Sequence, residues 1–285
     1  LFSFFFVEAW TMSRRSNFRI SARRKNRARS RADHSLYRRS LRLEPLEDRR
    51  LLALVTVTTP LDTVDFNDGL TSLREAIFAT NTVPGADTIE FDFGFDLDAD
   101  GPATILLTQG EMAITDSLTI DGPGADLLTI DASGNDPTPQ SYGFDLSDGS
   151  RVFLIDDGDF NPSTLADVAI SGLTLTGGDP KETPSPSWPA GAGGAIAAAA
   201  NLTLSEMRIV GNFARRGGGV SGFGGKLTVI DSEITGNSAF YGGGIQARGT
   251  TVSIQSSLLA ANKTYGGSQY GGGAIGVGAG DLTIL

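Results

Sequence analysis

Leu202-Thr-Leu-Ser-Glu-Met-Arg-Ile-Val-Gly-Asn212, Leu227-Thr-Val-Ile-Asp-Ser-Glu-Ile-Thr-Gly-Asn237 and Val252-Ser-Ile-Gln-Ser-Ser-Leu-Leu-Ala-Ala-Asn262 are three copies of one pattern, and their asparagines fall 25 residues apart. Each copy follows a glycine cluster and an apolar residue: Gly193-Gly-Ala-Ile196, Gly217-Gly-Gly-Val220 and Gly242-Gly-Gly-Ile245. A fourth opens at Gly271-Gly-Gly-Ala-Ile275 and runs to Leu282-Thr-Ile-Leu285. A fixed period of this length means stacked units rather than one globular core. Inside a unit Leu202 and Leu204 flank Thr203, and Met207 and Ile209 alternate with Arg208 and Val210. Period 2 is a strand pattern. Glycine and asparagine at the breaks supply the left-handed backbone that sharp corners need.

The expected fold is therefore all-β: a right-handed parallel β-helix of about 25-residue coils. Stacking at roughly 4.8 Å per coil puts Leu202, Leu227 and Val252 in one inward column and Ile209, Ile234 and Leu259 in another. Asn212, Asn237 and Asn262 then form a side-chain ladder, a structural role that accounts for them without catalysis. Gly-Gly-Ala-Ile followed by apolar-x-x-Asn resembles the repeat of the chlamydial polymorphic outer membrane proteins, over roughly the last third of the chain. Here Ile209, Ile234 and Leu259 stand where that family has phenylalanine. The resemblance implies an exported, surface-exposed β-helix.

Upstream, Thr71-Ser-Leu-Arg-Glu-Ala-Ile77 carries a capping box, Ser72 with Glu75, and sets Leu73, Ala76 and Ile77 on one helical face. A short helix over 72–80 is predicted, covering the open end of the first coil. The stretch resembles the CSLREAI motif found ahead of β-helix repeats in large surface proteins, including choice-of-anchor proteins, with Thr71 in the cysteine position. Leu43-Glu-Pro-Leu-Glu-Asp-Arg-Arg-Leu-Leu-Ala53 resembles the LEPR-XLL sorting motif of planctomycete-type exported proteins. Residues 1–53 read as a disordered basic export segment, with Met12 as the start, 54–110 as the cap and first coils, and 111–285 as the solenoid. Leu285 falls within a strand, so further coils are expected to follow it.

Charge divides the chain sharply. Residues 1–52 carry net +9 and the remainder net −19. An acidic body argues against nucleic-acid binding by the solenoid, which leaves only the arm as a basic candidate. There is no cysteine, and the single histidine, His34, lies in the arm, so thiol chemistry, a histidine-based triad and a histidine-rich zinc site are excluded. No apolar run is long enough for a spanning helix.

Candidate sites are few. Asp96, Asp98 and Asp100 before Gly101 have the spacing of half a calcium loop, but Leu107 stands where its glutamate belongs. Alternating acids on an exposed turn is the preferred reading; calcium is the one cofactor held open. Gly217-x-Gly-x-x-Gly222 matches a dinucleotide fingerprint in letters only. Glu206 and Asp231 would stack on adjacent coils at a spacing near that of a glycosidase pair, but no residue is assigned a catalytic role. Trp188, Tyr241, Tyr265 and Tyr270, with Phe213 and Phe240, are expected to form one aromatic ridge, with Phe213 tucked inward. Such a ridge suits an extracellular glycan or a surface protein. The function expected is that of a secreted or cell-surface, outer-membrane-associated protein in adhesion or structure; the alternative is a polysaccharide lyase or glycoside hydrolase on the same fold.

Overall fold

The structure, a computed structural model, describes residues 52–94, 101–138, 148–158, 165–181, 188–266 and 271–285. The basic arm with its Met12, and the Asp96–Asp100 motif, lie outside these residues. The described chain is mostly β, with one α-helix, and its strands pair in parallel. It forms an all-β, parallel, solenoid-like fold built on four sheets.

The chain visits the sheets in rotation. Asn201–Ser205 belongs to the first sheet, Arg208–Val210 to the second, Phe213–Arg216 to the short fourth and Val220–Phe223 to the third; Lys226–Ile230 then returns to the first. The first sheet has eight strands, the second and third six each, and the fourth three. Leu202 pairs with Leu227 and Leu227 with Val252, while Ile209 pairs with Ile234 and Ile234 with Leu259. One inward column of the first sheet runs Ile89, Ile120, Ile170, Leu204, Val229, Ile254, all buried. Burial of each such side chain is worth about 1.5–3 kcal/mol.

Corners follow a rule of their own. Glu206, Asp231 and Ser256 have φ of 54°, 47° and 48°, at the same step from the first sheet to the second. Gly172 occupies that step one coil earlier, at φ 60°. The left-handed turn, not the side chain, is the common element. The glycine clusters answer a different need: a Cβ on Gly218 would run into the carbonyl oxygens of both Ser238 and Gly243.

The helix spans Leu73–Thr82, so its start and end fall a residue or two beyond the expected 72–80. Ser72 is its N-cap: Ser72 Oγ accepts from Glu75 N at 3.1 Å, and Glu75 Oε2 accepts from Ser72 N at 2.8 Å. Leu73, Ala76 and Ile77 are buried against the first strands of the first and third sheets. The Asn81 amide donates to Ala113 O at 2.8 Å and accepts from Thr115 N at 2.9 Å, occupying the edge of the third sheet's first strand.

Arg74 ties the cap to the coils. It meets Asp62 in a two-pronged pair at 2.7 and 3.1 Å and donates to the carbonyls of Gly110 and Glu111. Burial works to raise the Asp62 pKa, but hydrogen bonds from Arg74, Thr108 N and Gln109 N, with the Arg74 charge, hold it below 3.8. A carboxylate depressed on folding adds stability that is complete above its unfolded value and is lost as pH falls through the folded one. Below pH 3.8 the native protein should therefore lose cap stability that Asp62→Asn already lacks. Melting curves of the two proteins should differ at pH 6 and converge toward pH 2.

Candidate functional site

Residues 188–192 lead into the third sheet's strand Ile196–Ala199. Ala197 and Ala199, which alternation turns outward, are buried. Arg151 holds this stretch at Pro189: its guanidinium pairs with Glu111 at 2.7 Å and donates to Pro189 O at 3.1 Å. Burial lowers the Arg151 pKa, and Glu111 opposes the shift. Ala192 N also donates to Pro189 O, at 3.0 Å. Trp188 is thereby set flat on Phe223, with ring centres 5.2 Å apart and planes 22° from parallel.

Beside that stack opens a cleft of about 240 Å³. Its floor is Ser221, Gly222 and Gln246 of the third sheet; Trp188, Phe223 and Arg248 form one side, and Arg216 and Tyr241 of the fourth sheet form the other. Arg248 lies over the Phe223 ring, 5.9 Å from its centre. Burial, then the charge of Arg215, pushes the Arg216 guanidinium below its ordinary value; Tyr241 opposes this and Arg248 adds to it. Among the described residues no carboxylate lines the cleft.

The expected single ridge is divided. Tyr241 faces the cleft, whereas Phe240 packs on Phe213 at 6.0 Å and on Tyr265 at 6.0 Å, and Phe213 meets Tyr265 at 6.2 Å. The cause is strand alternation: consecutive residues of Ser238–Tyr241 point to opposite faces. Phe213 is buried. Trp188 and Tyr241 share the cleft, Tyr265 belongs to the other cluster, and Tyr270 lies outside the described residues.

The asparagines hydrogen-bond in series. Asn237 Oδ1 accepts from Asn212 N and Nδ2, both at 3.0 Å, and Asn262 Oδ1 accepts from Asn237 N and Nδ2 at 3.0 and 3.1 Å. The series ends at Gly178, whose N–H donates to Asn212 Oδ1 at 2.9 Å. A second ladder escaped sequence reasoning: Ser232 Oγ accepts from Met207 N, and Ser257 Oγ from Ser232 N. Its only trace in the letters was a serine one step after each left-handed corner at Asp231 and Ser256.

Glu206 and Asp231 sit exposed on left-handed corners whose next equivalent is Ser256, and neither lines the cleft. Arg208 bonds Asp126 at 2.6 Å and Glu233 at 3.4 Å, an exposed pairing across coils worth less than about 1 kcal/mol. Gly217 turns a corner and Gly222 lies in a strand, with no helix following, so a dinucleotide loop is not built there. Among the described residues no three acidic or imidazole groups gather to hold a metal ion, and no helix is long and apolar enough to cross a membrane. Compared with known proteins, the chain matches no family model, no curated protein and no solved structure.

Proposed function

We propose that the chain is a right-handed parallel β-helix that works outside the cell, as a secreted or outer-membrane-associated surface protein in adhesion or structure. Handedness follows from the strong preference for right-handed crossovers between parallel strands. The similarity of its glycine-asparagine repeat to the polymorphic outer membrane proteins, and the acidity of its body, support an extracellular setting. The observation that carries the reading is the cleft: a rigid Trp188–Phe223 stack beside Tyr241 and Arg216. Flat rings with polar edges on a fixed scaffold suit recognition of a glycan or a protein surface, at little cost in side-chain entropy.

The test is binding of the labelled full chain to cell surfaces and to a panel of glycans. Trp188→Ala with Tyr241→Ala should weaken binding at least about ten-fold, because central aromatic anchors dominate such interfaces. Tyr265→Ala, in the separate ring cluster, should have a smaller effect. Unchanged binding in the double variant would refute the reading. Incubation with acidic polysaccharides should release no unsaturated or reducing ends; their appearance would favour the carbohydrate-active enzyme instead.

A further inference from the structure

The lining of the cleft narrows the ligand class. Arg216 and Arg248 face it from two different sheets, and among the described residues neither has a carboxylate partner. The body around them is strongly acidic, with net −19 beyond residue 52, yet among the described residues no acid lines the cleft. Concentrating unpaired cations where the rest of the surface is negative destabilises the free protein and favours an anionic occupant. Arg216 is half-buried, so its charge is less screened than that of a surface arginine. Guanidinium groups take carboxylate and sulfate oxygens in two-pronged hydrogen bonds.

The remaining groups describe the rest of the ligand. Ser221 and Gln246 offer a hydroxyl and an amide on the floor, which suit hydroxyl groups rather than a bare hydrocarbon. Trp188, Phe223 and Tyr241 supply aromatic edges and faces for C–H surfaces. The cleft takes residues from successive coils, Arg216 with Tyr241 and Phe223 with Arg248, so it runs along the stacking direction. Resting on the reading of this cleft as a recognition surface, we propose that it binds an acidic saccharide: a hydroxyl-rich chain bearing a carboxylate or sulfate that bridges Arg216 and Arg248.

Isothermal titration calorimetry on the full chain tests this with three probes: an oligogalacturonate, its methyl ester, and a chondroitin sulfate oligosaccharide. One or both acidic probes should bind, the methyl ester at least about ten-fold more weakly, since a charge-assisted pair is lost. Which acidic probe binds more tightly tells carboxylate from sulfate. Arg216→Gln and Arg248→Gln should each weaken binding about ten-fold, and raising salt should weaken the native protein's binding. Arg208→Gln, outside the cleft, should bind as the native protein does, and unchanged far-ultraviolet circular dichroism should accompany each variant. Equal binding of ester and acid, lost only in Trp188→Ala, overturns the acidic-ligand inference and leaves the recognition surface standing. Binding of none of the three probes overturns the saccharide assignment, while retained binding to cells keeps the recognition reading alive.

Discussion

Gly218→Ala is expected to destabilise the protein by about 3 kcal/mol or more, at the upper end for an overpacked site. The added methyl would collide with the carbonyl oxygens of Ser238 and Gly243 and lie 2.6 Å from Ser238 N. All three are backbone atoms of the next coil, so relief requires that whole coils move apart. Gly218 is not among the left-handed glycines, so the cost is steric. Gly224→Ala is the matched control. Gly224 has φ of 73° and nothing within 4 Å of its added methyl, so only the left-handed penalty of about 1–2 kcal/mol applies. Urea titration followed by circular dichroism should separate the two variants clearly. Equal losses would mean that the coils are not packed backbone to backbone at this corner.

Asn237→Ala should produce the second large effect. It deletes the oxygen that accepts from Asn212 N and Nδ2, and the amide that donates to Ile209 O at 2.9 Å and to Asn262 Oδ1. Asn237 is fully buried, so water does not replace these partners. At about 1–3 kcal/mol for each orphaned group, and less than additive, the loss should be about 3–5 kcal/mol. Asn262 is only partly buried, so Asn262→Ala should cost less. Hydrogen exchange gives the local readout: the Asn212 amide should lose protection in Asn237→Ala and keep most of it in Asn262→Ala. A loss below about 1 kcal/mol would mean that the ladder is ornamental.

What the sequence revealed depended on how faithfully a position repeats. Leu202, Leu227 and Val252 are similar in kind and 25 apart, so their pairing could be counted from the letters. Ser72 and Glu75 announce a helix start because a capping box is local chemistry. The serine ladder was hidden because Met207 occupies the equivalent position in the first copy and contributes only its backbone N–H. The cleft was hidden for another reason. Arg216 with Tyr241, and Phe223 with Arg248, are also 25 apart, yet they do not resemble one another and so do not register as repeats. Their columns become visible only when the period is applied to unlike residues. Trp188 adds a long-range element: its place on Phe223 depends on Arg151 reaching Pro189 O, which no spacing rule announces. The single ridge expected from the aromatic residues divides because strand alternation turns Phe240 and Tyr241 to opposite faces. Glu206 and Asp231 align because both turn a corner with a left-handed backbone, a property that their shared acidity does not announce.

Vertical register of the coils underlies both the ladder and the cleft, and electron–electron distance measurement between paired spin labels tests it directly. The chain contains no cysteine, so cysteines placed at two sites take label uniquely. Thr88, Thr119, Ala169, Thr203, Thr228 and Ser253 are successive partners in the first sheet. Labels at 88 and 253 are then five coil spacings apart, about 24 Å, and labels at 119 and 253 four, about 19 Å. Two narrow distributions differing by one spacing of about 5 Å are the predicted result. Broad distributions, or the same distance from both pairs, would contradict the stacking on which the account is built.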